Sequence, residues 1–199
     1  MRNFTINFSH VYISLGLYWL IFFLVVFLWF NMEIWLTIRG RKTTKRDKSL
    51  WLIWSLIFLA VVIGYIMRTW SFAHISLGFD LRAILGTIII LLGLLFRIWS
   101  IRVLGKFFEV RVVIKQGQPI IKTGPYKYIR HPAYTGVCLS FIGIGIALGN
   151  WIGLALIMTL VFIGFNQRIK KEEKILLQGF DEEYQIYINA TKKLIPFIY

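Results

Sequence analysis

The stretch from Gly124 to Gly136, GPYKYIRHPAYTG, gathers Arg130, His131, Pro132 and Tyr134 at the threshold of a long apolar run. Pro132 lacks an N–H and has a preset φ, so it suits the first turn of a helix and leaves His131 near the N-cap. The exposed N–H groups of such a start attract anions, and Arg130 and His131 add side-chain donors, so a carboxylate or phosphate is the ligand class this cluster fits. Taken singly, the residues read more plainly: Arg130 as an interfacial anchor, His131 as a satisfied cap, Tyr134 as part of an aromatic belt. Their concurrence is what points to a binding site.

A second constellation is Arg168 with Glu172. Four residues apart on one helix face, they can hold each other or a zwitterionic ligand between them. Glu173, the next residue, reads as a surface ion-pair partner of Lys170, Lys171 and Lys174. In FDEEYQIY, Phe180 to Tyr187, acidic residues at a helix start favour its dipole, and packing or lipid-surface docking accounts for Tyr184 and Tyr187. The sequence has no GxGxxG after a strand, no P-loop, no metal-ligand spacing, and no Ser or Cys with a plausible base partner. Cys138, the sole cysteine, lies inside an apolar run and reads as a small buried hydrophobe, which excludes an internal disulfide framework and a thiolate metal cluster. His10 and His74 read as residues of the outer membrane boundary.

The elements that must position these residues are membrane helices. The chain is 58% hydrophobic over 199 residues, more apolar than a soluble core of that size can hide. Its formal charge of +14 falls in blocks between hydrophobic runs, a pattern of cytoplasmic loops facing anionic lipid headgroups, and nucleic acid is not expected as a partner. Val11 to Phe30 carries no charge, is long enough to span, and lacks a cleavage site after it, so it is expected to be retained as a first helix. The next stretch holds Arg39, Arg41, Lys42, Lys45, Arg46 and Lys48 against Asp47, which places it in the cytoplasm and the N-terminus outside. Leu50 to Met67 makes a second span, followed by an outer loop with Trp70 and Phe72 at the interface. A third span runs from Leu81 toward Trp99, with Arg97 and Arg102 extending into the cytoplasmic headgroups.

From Gly105 to Tyr128 short period-two fragments, Gly and Pro predict an extended cytoplasmic connector rich in basic side chains, among them Lys106, Arg111, Lys115, Lys122 and Lys127. Ala133 to Phe165 as one helix would be roughly 50 Å long, too long to cross once. A hairpin turning at Gly149 and Asn150 resolves this and gives two arms slightly short of a full span. The chain then continues out of the membrane, breaks near Gly179 and forms a short amphipathic helix ended by Pro196. The expectation is an all-α integral membrane protein of about five transmembrane helices forming one domain, 1–199. Residues 1–104 supply three N-terminal helices, and 105–199 supply the functional half, with its site and the C-terminus in the cytoplasm.

GPYKYIRHPAYTG, a hydrophobic hairpin, KKEEKILLQGFDEEYQIY and a terminal LIPFIY, in that order, resemble the isoprenylcysteine carboxyl methyltransferase family and its prokaryotic relatives, over Arg111 to Tyr199. The resemblance implies a multi-pass enzyme that uses S-adenosyl-L-methionine, held at the cytoplasmic side between the RHPxY helix start and the Glu-Glu helix. Carried over by position, the cofactor would meet Gln118, Pro119, Ile120, Ile121, Tyr126, His131, Pro132, Ala133, Tyr134 and Glu172, and Arg168 would face the carboxylate of a lipophilic or lipidated acceptor. The family often has Phe-Gly where Phe180 is followed here by Asp181, and of Gln118 to Ile121 only the location transfers.

The chemistry suits these residues. Methyl transfer from a sulfonium is an in-line displacement, and a carboxylate acceptor is ionised near neutral pH, so positioning and exclusion of water suffice without a general base. His131 and the helix start would hold the methionine carboxylate, and Glu172 an amino group or ribose hydroxyl. Three other readings compete: a phospholipid amine N-methyltransferase, which would want a carboxylate base; a sterol-type reductase using a nicotinamide cofactor, whose relatives often carry Asn where this chain has Ala133; and a non-enzymatic protein whose basic loops dock anionic lipid.

Overall fold

The computed structural model describes residues 8–39, 48–67, 72–110, 114 and 117–199, and side chains on α1 and α2 from residues 16 and 54. The Arg41–Asp47 basic loop, Trp70, Arg111, Lys115 and the side chain of His10 lie outside the described residues. Among the described residues five α-helices follow in order: α1 (Phe8–Arg39), α2 (Lys48–Met67), α3 (Phe79–Leu104), α4 (Pro132–Leu148) and α5 (Trp151–Ala190). Gly16–Ile38 in α1, Phe79–Phe107 over α3 and the single turn after it, and Trp151–Ala190 of α5 are long and apolar enough to cross a membrane, and Trp54–Met67 and α4 are shorter apolar helices. The chain is an all-α integral membrane protein. Its lipid-facing surface includes Phe23, Phe27, Phe58, Leu92, Leu95 and Phe162, which are exposed because lipid rather than protein covers them.

Small residues set how the helices meet. On α3, Gly86 and Gly93 stand against Gly143 and Gly136 of α4: a Cβ on Gly93 would lie 2.5 Å from the Gly136 carbonyl oxygen, and one on Gly143 2.6 Å from that of Gly86. With no apolar driving force between helices in lipid, such close backbone approach and its dispersion contacts hold the pair together. The fully buried Ser140 sits in the same seam and returns its hydroxyl to the Gly136 carbonyl.

α4 and α5 form the predicted hairpin. Gly149 takes a left-handed conformation, φ 82°, at the end of α4, and the Asn150 side chain accepts from the N–H groups of Ile152 and Gly153 to cap α5. The turn docks on the loop before α3 through Ile75 N–H to Gly149 O, Trp151 N–H to Ala73 O, and Asn150 Nδ2 to Phe72 O. A side chain at Gly149 would also strike the buried Arg82 guanidinium.

Three expectations need correction. The break expected near Gly179 stands at Asp181, whose φ of 44° interrupts the helical path, but the helix beyond it ends at Ala190, so Pro196 stands in the turns that follow and does not end it. The first helix does not stop at Phe30; it continues to Arg39 and carries Glu33 into the protein. Arg97 does not reach for headgroups: it is 7% exposed and pairs with Glu33, because a partner on α1 satisfies a guanidinium at that depth better than a partial stretch toward water. Arg102, one turn and more further on, is exposed as expected. Between α3 and α4 the described connector residues are irregular apart from single 3₁₀ turns at Gly105–Phe107 and Gly124–Lys127.

Candidate functional site

Pro132 is the first residue of α4 and His131 its N-cap, but the imidazole makes no capping bond. It turns instead toward α5, where Nδ1 lies 3.5 Å from Glu172 Oε2 and Nε2 3.3 Å from Glu173 Oε1. Burial by itself disfavours the imidazolium, yet the flanking Glu172 and Glu173 carboxylates outweigh it, so the His131 pKa stands above its ordinary value. Tyr134, one turn into α4, donates its hydroxyl to Glu172 Oε1 at 2.5 Å, and its ring lies 4.9 Å from that of Phe165. Arg168, 1% exposed, donates from Nε to the same Glu172 oxygen at 3.2 Å and from a terminal nitrogen to the Val110 carbonyl of the connector. The predicted Arg168–Glu172 pair is thus formed, and Tyr134 and His131 converge on it from α4.

Glu173 departs from its reading as a surface partner of lysines. Its Oε1 accepts from Arg130 Nε at 2.8 Å and neighbours His131. Arg130 in turn donates to the carbonyls of Ile188 and Thr191, at 3.1 and 2.5 Å, so it clamps the end of α5 to the start of α4 and is not a donor awaiting an anion. The backbone N–H groups of Arg130 and His131 are likewise engaged, by the carbonyls of Lys192 and Lys193.

These residues wall a cavity of about 220 Å³. Gln118, Pro119, Ile120, Ile121 and Tyr126 line it from the connector, Ala133 and Tyr134 from α4, and His131, Arg168 and Glu172 from the ion-pair cluster. Pro132 does not face it; its side chain is fully buried as the helix starter behind the wall. Toward the membrane the lining becomes apolar, with Trp29 of α1, Trp54 and Ile57 of α2, Val137 of α4 and Phe165 of α5.

Sequence reasoning missed two parts of this wall. Tyr184 and Tyr187 were expected to pack or touch lipid; both line the cavity, and Tyr187 donates to the Tyr126 carbonyl at 2.7 Å. A signal existed: Arg168, Glu172, Leu176, Phe180, Tyr184 and Tyr187 recur at spacings of three or four, one stripe of α5, and all six face the cavity. The other is the buried pair of Glu33 and Arg97, with Nε 2.5 Å from Oε1 and a terminal nitrogen 2.6 Å from Oε2. Arg97 also donates to the Ala133 carbonyl at 2.9 Å, so this pair braces the first turn of α4 from across the cavity. A lone acidic residue just past an apolar run was its only trace in the sequence.

Residues 85–178 match the model of the isoprenylcysteine carboxyl methyltransferase (ICMT) family. The protein-S-isoprenylcysteine O-methyltransferase of Saccharomyces cerevisiae is 31% identical over 125 residues, 62% of this chain and 52% of that protein. Its counterpart in Schizosaccharomyces pombe is 31% identical over 96 residues, 47% of this chain and 41% of that protein. The chain spans about half the length of the curated relatives it matches. The solved structure of a eukaryotic intramembrane Ras methyltransferase, ICMT, shares the fold with a TM-score of 0.57 at 24% identity, over 73% of this chain and 52% of that one. With the helix start at Pro132, the hairpin and the Glu172–Glu173 pair all inside the matched region, the part of the chain that carries the candidate site is similar, over residues 85–178, to the isoprenylcysteine carboxyl methyltransferase family.

Proposed function

We propose that this protein is an S-adenosyl-L-methionine-dependent methyltransferase that esterifies the carboxylate of a lipophilic, isoprenylcysteine-like acceptor. The observation that carries the reading is a single cavity whose wall changes from a charged cluster of Glu172, Arg168, His131 and Tyr134 to the membrane-side surfaces of Trp29, Trp54, Val137 and Phe165. A soluble charged cofactor and a lipid-tailed acid need those two linings side by side.

The residues present fit the cofactor. Glu172 offers a carboxylate for an ammonium or ribose hydroxyl, His131 a positive charge to draw a carboxylate, and Pro119, Ile120, Ile121 and Tyr126 apolar surface for an adenine. When bound, the cofactor supplies a methyl group on a positively charged sulfur. Arg168 orients the acceptor carboxylate; its guanidinium plane is held by Glu172 and the Val110 carbonyl, so little side-chain freedom is lost when the acceptor arrives. Tyr134 and Phe165 shield the junction from water. No proton has to be removed from an ionised acid, and no base is assigned. An amine acceptor would require a carboxylate able to take a proton, whereas Glu172 and Glu173 are held by Arg168, His131 and Arg130, which favours the acid. The charge bias of the loops supports a cytoplasmic site and C-terminus with the N-terminus outside.

The test is calorimetric titration of the purified full chain with S-adenosylmethionine and, separately, with NADPH. Saturable binding of S-adenosylmethionine, weakened in Glu172→Gln, is the expected result; saturable binding of NADPH alone overturns the reading. Arg168→Ala should then raise KM for the acceptor at unchanged cofactor affinity.

A further inference from the structure

Beyond α5 the chain folds back along the seam between α4 and α5. Ile129 and Lys192 form a parallel bridge, the Thr135 hydroxyl donates to the Leu194 carbonyl at 2.6 Å, and the Tyr199 hydroxyl donates to Asn166 Oδ1 at 3.2 Å. The Tyr199 ring reaches further in, 5.6 Å from that of Phe162. Phe162 is half-exposed on the apolar part of α5, two turns short of Arg168, about 9 Å along the axis on the membrane side. The segment therefore descends past the start of α4 to the depth of a lipid-facing side chain.

At that depth it presents its most apolar residues outward. Ile195, Phe197 and Ile198 are 48, 85 and 75% exposed, whereas Leu194 beside them is buried. Phe197 itself takes a positive φ of 65°, uncommon for a bulky residue. Lys192 is exposed on the side toward the site, whereas Lys193 turns its ammonium inward, 5.2 Å over the Tyr199 ring, and donates to the Tyr199 hydroxyl at 3.4 Å. Apolar tip inward and the Lys192 ammonium outward is the order in which a phospholipid leaflet is itself arranged, acyl chains below and phosphates above.

We propose that Ile195–Ile198 is a re-entrant anchor inserted into the leaflet on the side of the candidate site, with Lys192 at the phosphates. The occupant of this apolar surface is phospholipid, because the surface is continuous with the lipid-facing Phe162 and carries the matching charge order. The same segment supplies the carbonyls that hold the N–H groups of Arg130 and His131, so the bilayer fixes the cap of α4 through it.

The test uses the full chain in vesicles of phosphatidylcholine and phosphatidylglycerol in equal parts, in a Cys138→Ala background. A fluorophore is placed by Phe197→Cys and, as a water-side control, by Lys122→Cys, whose side chain is 45% exposed. Quenching by lipids bearing a nitroxide near the headgroup should be at least about twofold stronger at position 197 than at 122, with iodide in the water showing the reverse order. Equal quenching at the two positions overturns the proposal. So does a label at 197 that neither quencher reaches, the result expected if protein covers it. Because these side chains touch little of the protein, Phe197→Ser with Ile198→Ser should leave the fold intact, and trypsin should then cleave after Lys192 and Lys193 about tenfold faster in vesicles than in the unaltered protein. An unchanged cleavage rate also overturns the anchor.

Discussion

Replacing Glu33 by leucine tests whether the cavity is braced by a buried ion pair. In the native protein the Arg97 and Glu33 side chains are 8 and 9% exposed and joined by contacts of 2.5 and 2.6 Å. Glu33→Leu leaves a buried guanidinium with its remaining bond to the Ala133 carbonyl, and removing one partner of a buried pair costs about 3–5 kcal/mol. For a chain of this size that corresponds to a fall in Tm on the order of 10 °C. Arg97→Leu leaves the opposite charge stranded and should cost a similar amount. The double variant strands neither; it loses only the bond to Ala133, worth about 1 kcal/mol, and should melt close to the native protein. Melting in lipid nanodiscs can be followed with a maleimide fluorophore that reports access to Cys138, the sole cysteine, which packs against the core. A single variant that melts like the native protein, or a double variant destabilised by the sum of the singles, would refute the pairing. The cycle also separates stability from site geometry: the double variant should still lose the proposed methyl transfer, because the Ala133 carbonyl has lost its brace.

Further outcomes follow from the site and the seam. His131, with its folded-state pKa raised above 6.5, is protonated against Glu172 and Glu173, so its contribution to stability is complete below about pH 6.5 and lost as pH rises through the folded value. Melting temperatures measured across that range should fall toward alkaline pH, and His131→Asn should flatten the slope. Arg130, Arg168 and Tyr134 face the same carboxylates. Gly93→Ala places a methyl 2.5 Å from the Gly136 carbonyl and should destabilise by about 1–3 kcal/mol as α3 and α4 are forced apart, readable in the same melting assay. Tyr187→Phe removes only the hydroxyl that donates to the Tyr126 carbonyl and leaves that buried acceptor unpaired, so it should destabilise by about 1–3 kcal/mol in the melting assay, and affinity for the proposed cofactor should drop severalfold in a calorimetric titration.

What the sequence by itself determined is what short separations along the chain control. Apolar runs of spanning length dictate membrane helices because every backbone polar group in lipid must be bonded within its own segment. Gly149 and Asn150 dictate the hairpin turn, one by its left-handed backbone and the other by its capping oxygen. Pro132 dictates where α4 begins, and four-residue spacing dictates that Arg168 meets Glu172. The tertiary structure decided which of several available partners each charged group takes. Glu173 could have met lysines on its own helix, Arg97 could have reached for water, and Arg130 could have waited for an anion. Each instead found a partner far along the chain, 43 residues away for Arg130 and Glu173 and 64 for Arg97 and Glu33. Those choices depend on the rotation and depth of whole helices, set by the glycine seam between α3 and α4 and by the return of the Thr191–Tyr199 segment. A local pattern carries no record of either, since the energy that fixes them is spread over contacts between elements remote in the chain.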